Sequence, residues 1–116
     1  RGTEKEYRRR LSGVPGLSLL ENPDSRYHSN HWLTCVQVNP EEARFDRETL
    51  RLALQKAGVE SRPLWKPMHL QPVFRSCPFY GSGVSDRLFE EGLCLPSGAS
   101  LAGEDMDRII DVLLNL

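Results

Sequence analysis

The run His31-Trp32-Leu33-Thr34-Cys35-Val36-Gln37-Val38 constrains this chain more than any other segment. It reads as a β-strand, because its residues alternate without a helical period. Trp32, Thr34, Val36 and Val38 would share one face, with Leu33, Cys35 and Gln37 on the other. Both faces are mostly apolar, so the strand belongs at the centre of a sheet that is covered on each side. The rest of the chain must supply neighbouring strands and the cover.

Four helical segments can do so. From Thr3 to Ser12 the sequence is strongly charged, with Tyr7 and Leu11 on one helical face, and Gly13, Pro15 and Gly16 end it. Five basic and two acidic residues fall in the first ten, which is better explained as a solvated helix face than as a phosphate-binding arm. A second helix starts at Asp46, whose side chain can cap the free N–H groups. Phe45 and Leu50 are spaced for a hydrophobic staple, Leu50, Ala53, Leu54 and Ala57 form the buried stripe, and Gly58 supplies the stop. A capped helix is expected from Ser82 to Glu91, ending at Gly92, and another from Gly103 to Leu116. The last carries Met106, Ile109, Ile110 and Leu113 at core spacing, with Glu104, Asp105 and Asp107 in its first turn.

The remaining strands are short. Leu17–Leu20 reads as an edge strand followed by an Asn22–Ser25 turn, Asn39-Pro40 breaks the central strand, and Val59–Arg62 can return to the sheet. Leu93–Leu95 is a buried strand closed by Pro96-Ser97-Gly98. The expected fold is α/β, in the sense of an α+β sandwich: one domain over residues 1–116, a small sheet of short strands covered by helices. A chain of 116 residues is long enough for one core and short for two.

With 15 basic and 16 acidic residues the chain is nearly neutral, which gives no electrostatic reason to expect nucleic acid or anionic lipid as a partner. No apolar run approaches the roughly 20 residues that span a bilayer. Cys35, Cys77 and Cys94 are an odd number, far apart, and read as reduced, partly buried thiols in a cytoplasmic protein. The first residue is Arg1 rather than methionine, so a piece of a longer protein is expected.

Three patterns invite chemistry. His28, His31 and Cys35 offer three candidate zinc ligands with no fourth, and two of them lie in the strand run. Tyr80-Gly81-Ser82-Gly83-Val84 lacks the lysine of a phosphate loop and reads as a glycine-rich helix start. The segment Pro63–Phe74 is different: Pro63, Pro67 and Pro72 stiffen a loop holding Trp65, Lys66, Met68 and His69. Trp65 offers an apolar face, Lys66 a point charge for phosphate, and His69 a donor or acceptor near neutral pH. The alternative is that Trp65 and Met68 plug the core while Lys66 is solvated.

Three motifs follow one another in order: Asn30-His31-Trp32-Leu33-Thr34-Cys35, then Ser61-Arg62-Pro63-Leu64-Trp65-Lys66-Pro67-Met68-His69-Leu70-Gln71-Pro72-Val73-Phe74, then Gly92-Leu93-Cys94-Leu95-Pro96-Ser97-Gly98. In sequence and spacing they resemble the C-terminal small domain of the pyridoxal-phosphate-dependent sugar aminotransferases, the DegT/DnrJ family, over essentially the whole chain. The likeness is greatest to the branch that aminates UDP-4-keto-6-deoxy-N-acetylglucosamine on the way to bacillosamine.

The resemblance implies an aspartate-aminotransferase fold in which a large N-terminal domain supplies the Schiff-base lysine and most of the pyridoxal phosphate site. Lys5, Lys56 and Lys66 match no such lysine, so this chain alone is expected to bind no cofactor and to be inactive. The whole enzyme would be a cytoplasmic homodimer moving an amino group, from a donor such as glutamate, to a nucleotide-linked 4-keto sugar for surface-glycan synthesis. The resemblance assigns His69 to hold the sugar, Lys66 to the diphosphate and Trp65 to the cleft, with Asn30 and His31 as further candidates; no catalytic residue is expected here. One departure is Ala102-Gly103, where the family usually caps the last helix with Thr or Ser, a change that typically costs about 1 kcal/mol. The competing reading is a stand-alone α/β binding or interaction module that has lost the catalytic domain.

Overall fold

The structure, a computed structural model, describes residues 2–101 and 103–116. In chain order its elements are α1 (Gly2–Leu11), β1 (Leu17–Leu19), β2 (Thr34–Val38), α2 (Pro40–Ala43), α3 (Arg47–Lys56), β3 (Arg62–Pro63), α4 (Val84–Glu91), β4 (Gly92–Leu95) and α5 (Gly103–Leu114). Two short 3₁₀ turns, Met68–Leu70 and Pro72–Phe74, lie between β3 and α4. The strands form one antiparallel sheet in the order β1-β2-β4-β3, so β2 and β4 are its two interior strands.

The register divides the sheet into two unlike faces. Val36 pairs with Leu93 and Thr34 with Leu95, and this face is dry: Val36 and Leu93 are fully buried. Tyr7 and Leu11 from α1, Leu50 and Leu54 from α3, and Met106, Ile109, Ile110 and Leu113 from α5 complete that core. Cys35 pairs with Cys94 and Gln37 with Gly92 on the opposite face. There α4 lies against β2 and β4, Gln37 donates a hydrogen bond to the Glu91 carboxylate, and Leu64 stands over Gly92. The central strand is thus covered on both sides, thickly on one and thinly on the other.

Local chemistry explains where the elements begin and end. Asp46 accepts from the Thr49 N–H at 2.7 Å, the expected cap of α3, and Phe45 packs against the core beside it. The far end of α3 closes with paired bonds: the Gly58 N–H reaches the Gln55 carbonyl and the Val59 N–H the Leu54 carbonyl, with Gly58 at φ 73°. This is a Schellman stop, in which Val59 turns into the core. That turn corrects the strand expected over 59–62, since Val59 is committed to the helix end and pairing begins only at Arg62.

Two further expectations change. The central strand starts at Thr34 rather than His31. Ser29 Oγ accepts from the His31 N–H and Asn30 Oδ1 from the Trp32 N–H, each at 3.0 Å, so local side chains take the bonds a ladder would need. Trp32 consequently projects outward and is 73% exposed. The fourth helix starts at Val84 and not Ser82: Gly83, at φ 79°, occupies the cap position without a side-chain bond. Asn39-Pro40 does more than break a strand, because Asn39 caps the short helix α2 with Pro40 in its first turn. The last helix stops at Leu114, and the expectation about its N-cap at Ala102 lies outside the described residues.

The charged residues of α1 are paired, within the helix and with neighbouring segments, and Glu4 is buried. Arg8 meets Glu4 at 2.6 Å, Arg9 meets Glu6 at 2.5 Å, and Arg10 reaches Asp107 at 2.5 Å. Of the thiols, Cys94 is buried and Cys35 half-buried, but Cys77 is exposed, against the expectation for all three. Among the described residues, no helix is long and apolar enough to cross a membrane.

Candidate functional site

The segment between β3 and α4 is ordered without being regular. The ring nitrogens of Pro63, Pro67 and Pro72 carry no N–H, and the chain compensates with 3₁₀ bonds from Leu70 to Pro67 and from Gln71 to Met68. Gln71 adds a side-chain bond to the Lys66 carbonyl at 3.3 Å. Leu64 anchors the near end over Gly92, and Pro67 is buried.

His69 is confined, with its side chain at 17% exposure. Its ring stacks on Phe79 with centroids 3.6 Å apart and planes 20° from parallel. Its Nε2 lies 2.6 Å from Asp86 Oδ1, in the first turn of α4. The contact falls outside hydrogen-bond geometry, leaving Asp86 Oδ1 buried without a directed partner. The stack on Phe79 sets the ring plane, with Nε2 against Asp86 and the other nitrogen on the opposite side of the ring.

Trp65 points elsewhere. With Trp32 it lines a groove of about 670 Å³ that runs past β3 to α5 and is also lined by Cys94, Leu95, Arg108 and Ile109. Both indoles are largely exposed, Trp65 at 67%. The core-plug alternative for Trp65 and Met68 therefore fails, since Met68 is 60% exposed as well. Lys66 is exposed, as is Asn30; His31 is half-buried in the loop that leads to Trp32. His31 holds φ 53°, a left-handed conformation that costs a non-glycine residue roughly 1–2 kcal/mol. The structure thus gathers Trp65 with Trp32, places Asn30 and His31 beside that wall, and sets His69 in a separate cluster.

Phe79 and Asp86 were not legible as site residues. They stand 10 and 17 positions beyond His69, on a loop and a helix whose packing no local pattern encodes. Val73, Phe79, Tyr80 and Val84, on the loop that follows His69 and the start of α4, are exposed apolar side chains. The glycine-rich run acts as a helix start, as expected. Among the described residues no three His, Cys, Asp or Glu side chains gather as a metal site.

A pyridoxal phosphate site needs an amine held in a closed pocket. Lys5 on α1, Lys56 at the end of α3 and Lys66 in the loop after β3 are all exposed, so none is enclosed as such an amine is.

Comparison with known proteins places this geometry. Residues 1–114 match the DegT/DnrJ/EryC1/StrS aminotransferase family. The chain is 38% identical over 114 residues to EpsN of Bacillus subtilis (strain 168), which is named as a pyridoxal phosphate-dependent aminotransferase; the match covers 95% of this chain and 28% of EpsN. It is 26% identical to the GDP-perosamine synthase of Vibrio cholerae, covering 94% of this chain and 29% of that protein. The chain therefore spans under a third of the length of these curated relatives. Among solved structures, DesI in the presence of its TDP-sugar product superposes with a TM-score of 0.84 at 26% identity, over 97% of this chain and 29% of DesI. DesV of S. venezuelae, in complex with a ketimine intermediate, gives a TM-score of 0.79 at 27% identity, over 98% of this chain and 30% of DesV. Sequence motifs, sheet order and superposition agree, and the chain belongs to the DegT/DnrJ/EryC1/StrS family of aminotransferases.

Proposed function

We propose that the chain is the C-terminal, substrate-side domain of a pyridoxal-phosphate-dependent aminotransferase acting on a nucleotide-linked 4-keto sugar. The observation that carries this reading is His69, confined between Phe79 and Asp86 on a proline-stiffened loop. A fixed imidazole of this kind suits a hydrogen bond to a sugar hydroxyl or ketone, because its orientation is set before the ligand arrives. The names of DesI's TDP-sugar product and of GDP-perosamine synthase support a nucleotide sugar as the ligand.

On this reading Lys66, exposed beside the loop, reaches toward the diphosphate, and Trp65 with Asn30 and His31 forms the outer wall. A large domain, outside these residues, holds the cofactor and covers the apolar surface from Val73 to Val84. Isolated, the 116 residues are inactive, and the whole protein works as a homodimer. The preferred sugar is a UDP-linked 6-deoxy-4-ketose of the bacillosamine type, a reading that rests on the resemblance of the three motifs to that branch of the family.

His69→Asn and His69→Ala in the full-length protein test the site. One lost hydrogen bond to a polar ligand group predicts a fall of about tenfold to a hundredfold in kcat/KM for the nucleotide sugar, with the amino-donor half-reaction little changed. Unaltered kcat/KM in both variants would remove His69 from the site.

A further inference from the structure

Cys35 and Cys94 are 59 residues apart in sequence yet directly opposite in the β2–β4 register, with their sulfurs 3.7 Å apart. Both are free thiols, and they stand on the thinly covered face of the sheet rather than in the core of Val36, Leu93 and the three helices. Directly opposed residues of antiparallel strands have Cα atoms about 4.5–5.5 Å apart, inside the span a disulfide bridges. Bond formation needs the sulfurs to close from 3.7 Å to about 2.0 Å, which rotation of the two side chains can supply without moving the strands.

We propose that this cross-strand pair is a dithiol modification site: it closes to an intrachain Cys35–Cys94 disulfide by exchange with a low-molecular-weight disulfide such as glutathione disulfide. One thiol, as its thiolate, attacks the reagent and releases one glutathione thiol. The second displaces the other glutathione. Two protein protons and two electrons leave, the reagent is reduced to two thiols, and one S–S bond forms in the protein. Access is at Cys35, which is half-buried, whereas Cys94 is buried beneath it in the pair. Burial and the neighbouring Cys94 push the Cys35 thiol up to about 12, so its thiolate is scarce at neutral pH and the exchange is slow. The bond would sit one strand from Arg62-Pro63, where the chain enters the loop of Trp65 and His69.

The test treats the native protein with glutathione disulfide, quenches with iodoacetamide and maps the peptides. The expected product is a Cys35–Cys94 linked peptide lighter by two hydrogens, exceeding either pairing with Cys77 by about tenfold or more because the strands fix the effective concentration. Cys77, which is exposed, should appear alkylated or glutathionylated. Cys35→Ala should abolish the link, and Cys77→Ser should leave it intact. The proposal is overturned if Cys35 and Cys94 both remain alkylated while Cys77 reacts. It is equally overturned if the link appears only after circular dichroism shows unfolding, or if Cys77 pairs with either partner as readily.

Discussion

Replacing Gly92 by alanine probes the joint between the sheet and the site loop. Gly92 is buried at the start of β4, where α4 ends, with ordinary backbone angles of φ −92° and ψ 138°. The cost is therefore one of space rather than of backbone strain. A Cβ at this position would stand 1.6 Å from Leu64 Cδ1, 2.9 Å from Leu64 Cγ and 2.3 Å from the Leu88 carbonyl oxygen. The Leu64 tip can swing aside. The Leu88 oxygen cannot, because it accepts the Gly92 N–H at the end of α4.

Overpacking a buried site typically costs about 1–3 kcal/mol. A clash with fixed backbone places this case toward the upper end, about 2–3 kcal/mol. At roughly 4 °C per kcal/mol for a chain of this size, the melting temperature should fall by about 8–12 °C. Urea unfolding followed by far-ultraviolet circular dichroism is the suitable assay, since both tryptophans are already exposed in the native state and report weakly. Pairing the change with Leu64→Ala should give a double variant less destabilised than the two single effects summed. A loss below about 0.5 kcal/mol with an unchanged denaturant slope would refute the packing argument. A full loss with strict additivity would acquit Leu64 and leave the Leu88 oxygen as the whole cause.

Other outcomes follow from single residues. Tyr7 is fully buried and its hydroxyl donates to the Pro96 carbonyl at 3.0 Å, so Tyr7→Phe should cost about 1 kcal/mol in urea unfolding at neutral pH. Burial raises the Tyr7 pKa above its usual 10.0, so the stability it confers is intact below pH 10 and declines above it, as the unfolded chain loses a proton that the folded chain keeps. Tyr7→Phe should make that alkaline decline shallower by one proton, with the contribution of Cys35 beginning near its ordinary 9.0; an unchanged slope would refute the assignment. Asp46 has its pKa lowered by hydrogen bonds from Thr49, so the cap is present above about pH 4 and is lost as pH falls. Asp46→Ala should lower the melting temperature at pH 7 and converge with the parent chain in acid, whereas Asp46→Asn should retain most of the cap; a pH-independent gap would reject the charge contribution.

Local chemistry alone determined much of this protein. Asp46 with its staple, Gly58 as helix stop, the core stripe of the last helix and the Leu93–Leu95 strand were legible because each depends on neighbours within about one helical turn. The Pro-rich motif was legible for the same reason: Pro67 and Pro72 keep the segment out of a ladder, Pro63 stands at the end of the edge strand β3, and the motif's length carried the family resemblance. What the sequence misjudged were contests between two local options. Ser29 and Asn30 captured the N–H groups that would have extended β2, and Val59 went to the Schellman stop instead of a strand. Only the tertiary structure decided the rest. Sheet order brought Cys35 against Cys94, and α4 carried Asp86 to His69, because contacts between distant segments depend on how whole faces pack and not on residue spacing. The two tryptophans came to line one groove in the same way, since Trp32 precedes β2 and Trp65 follows β3 and only the pairing of both strands with β4 sets them on the same cavity.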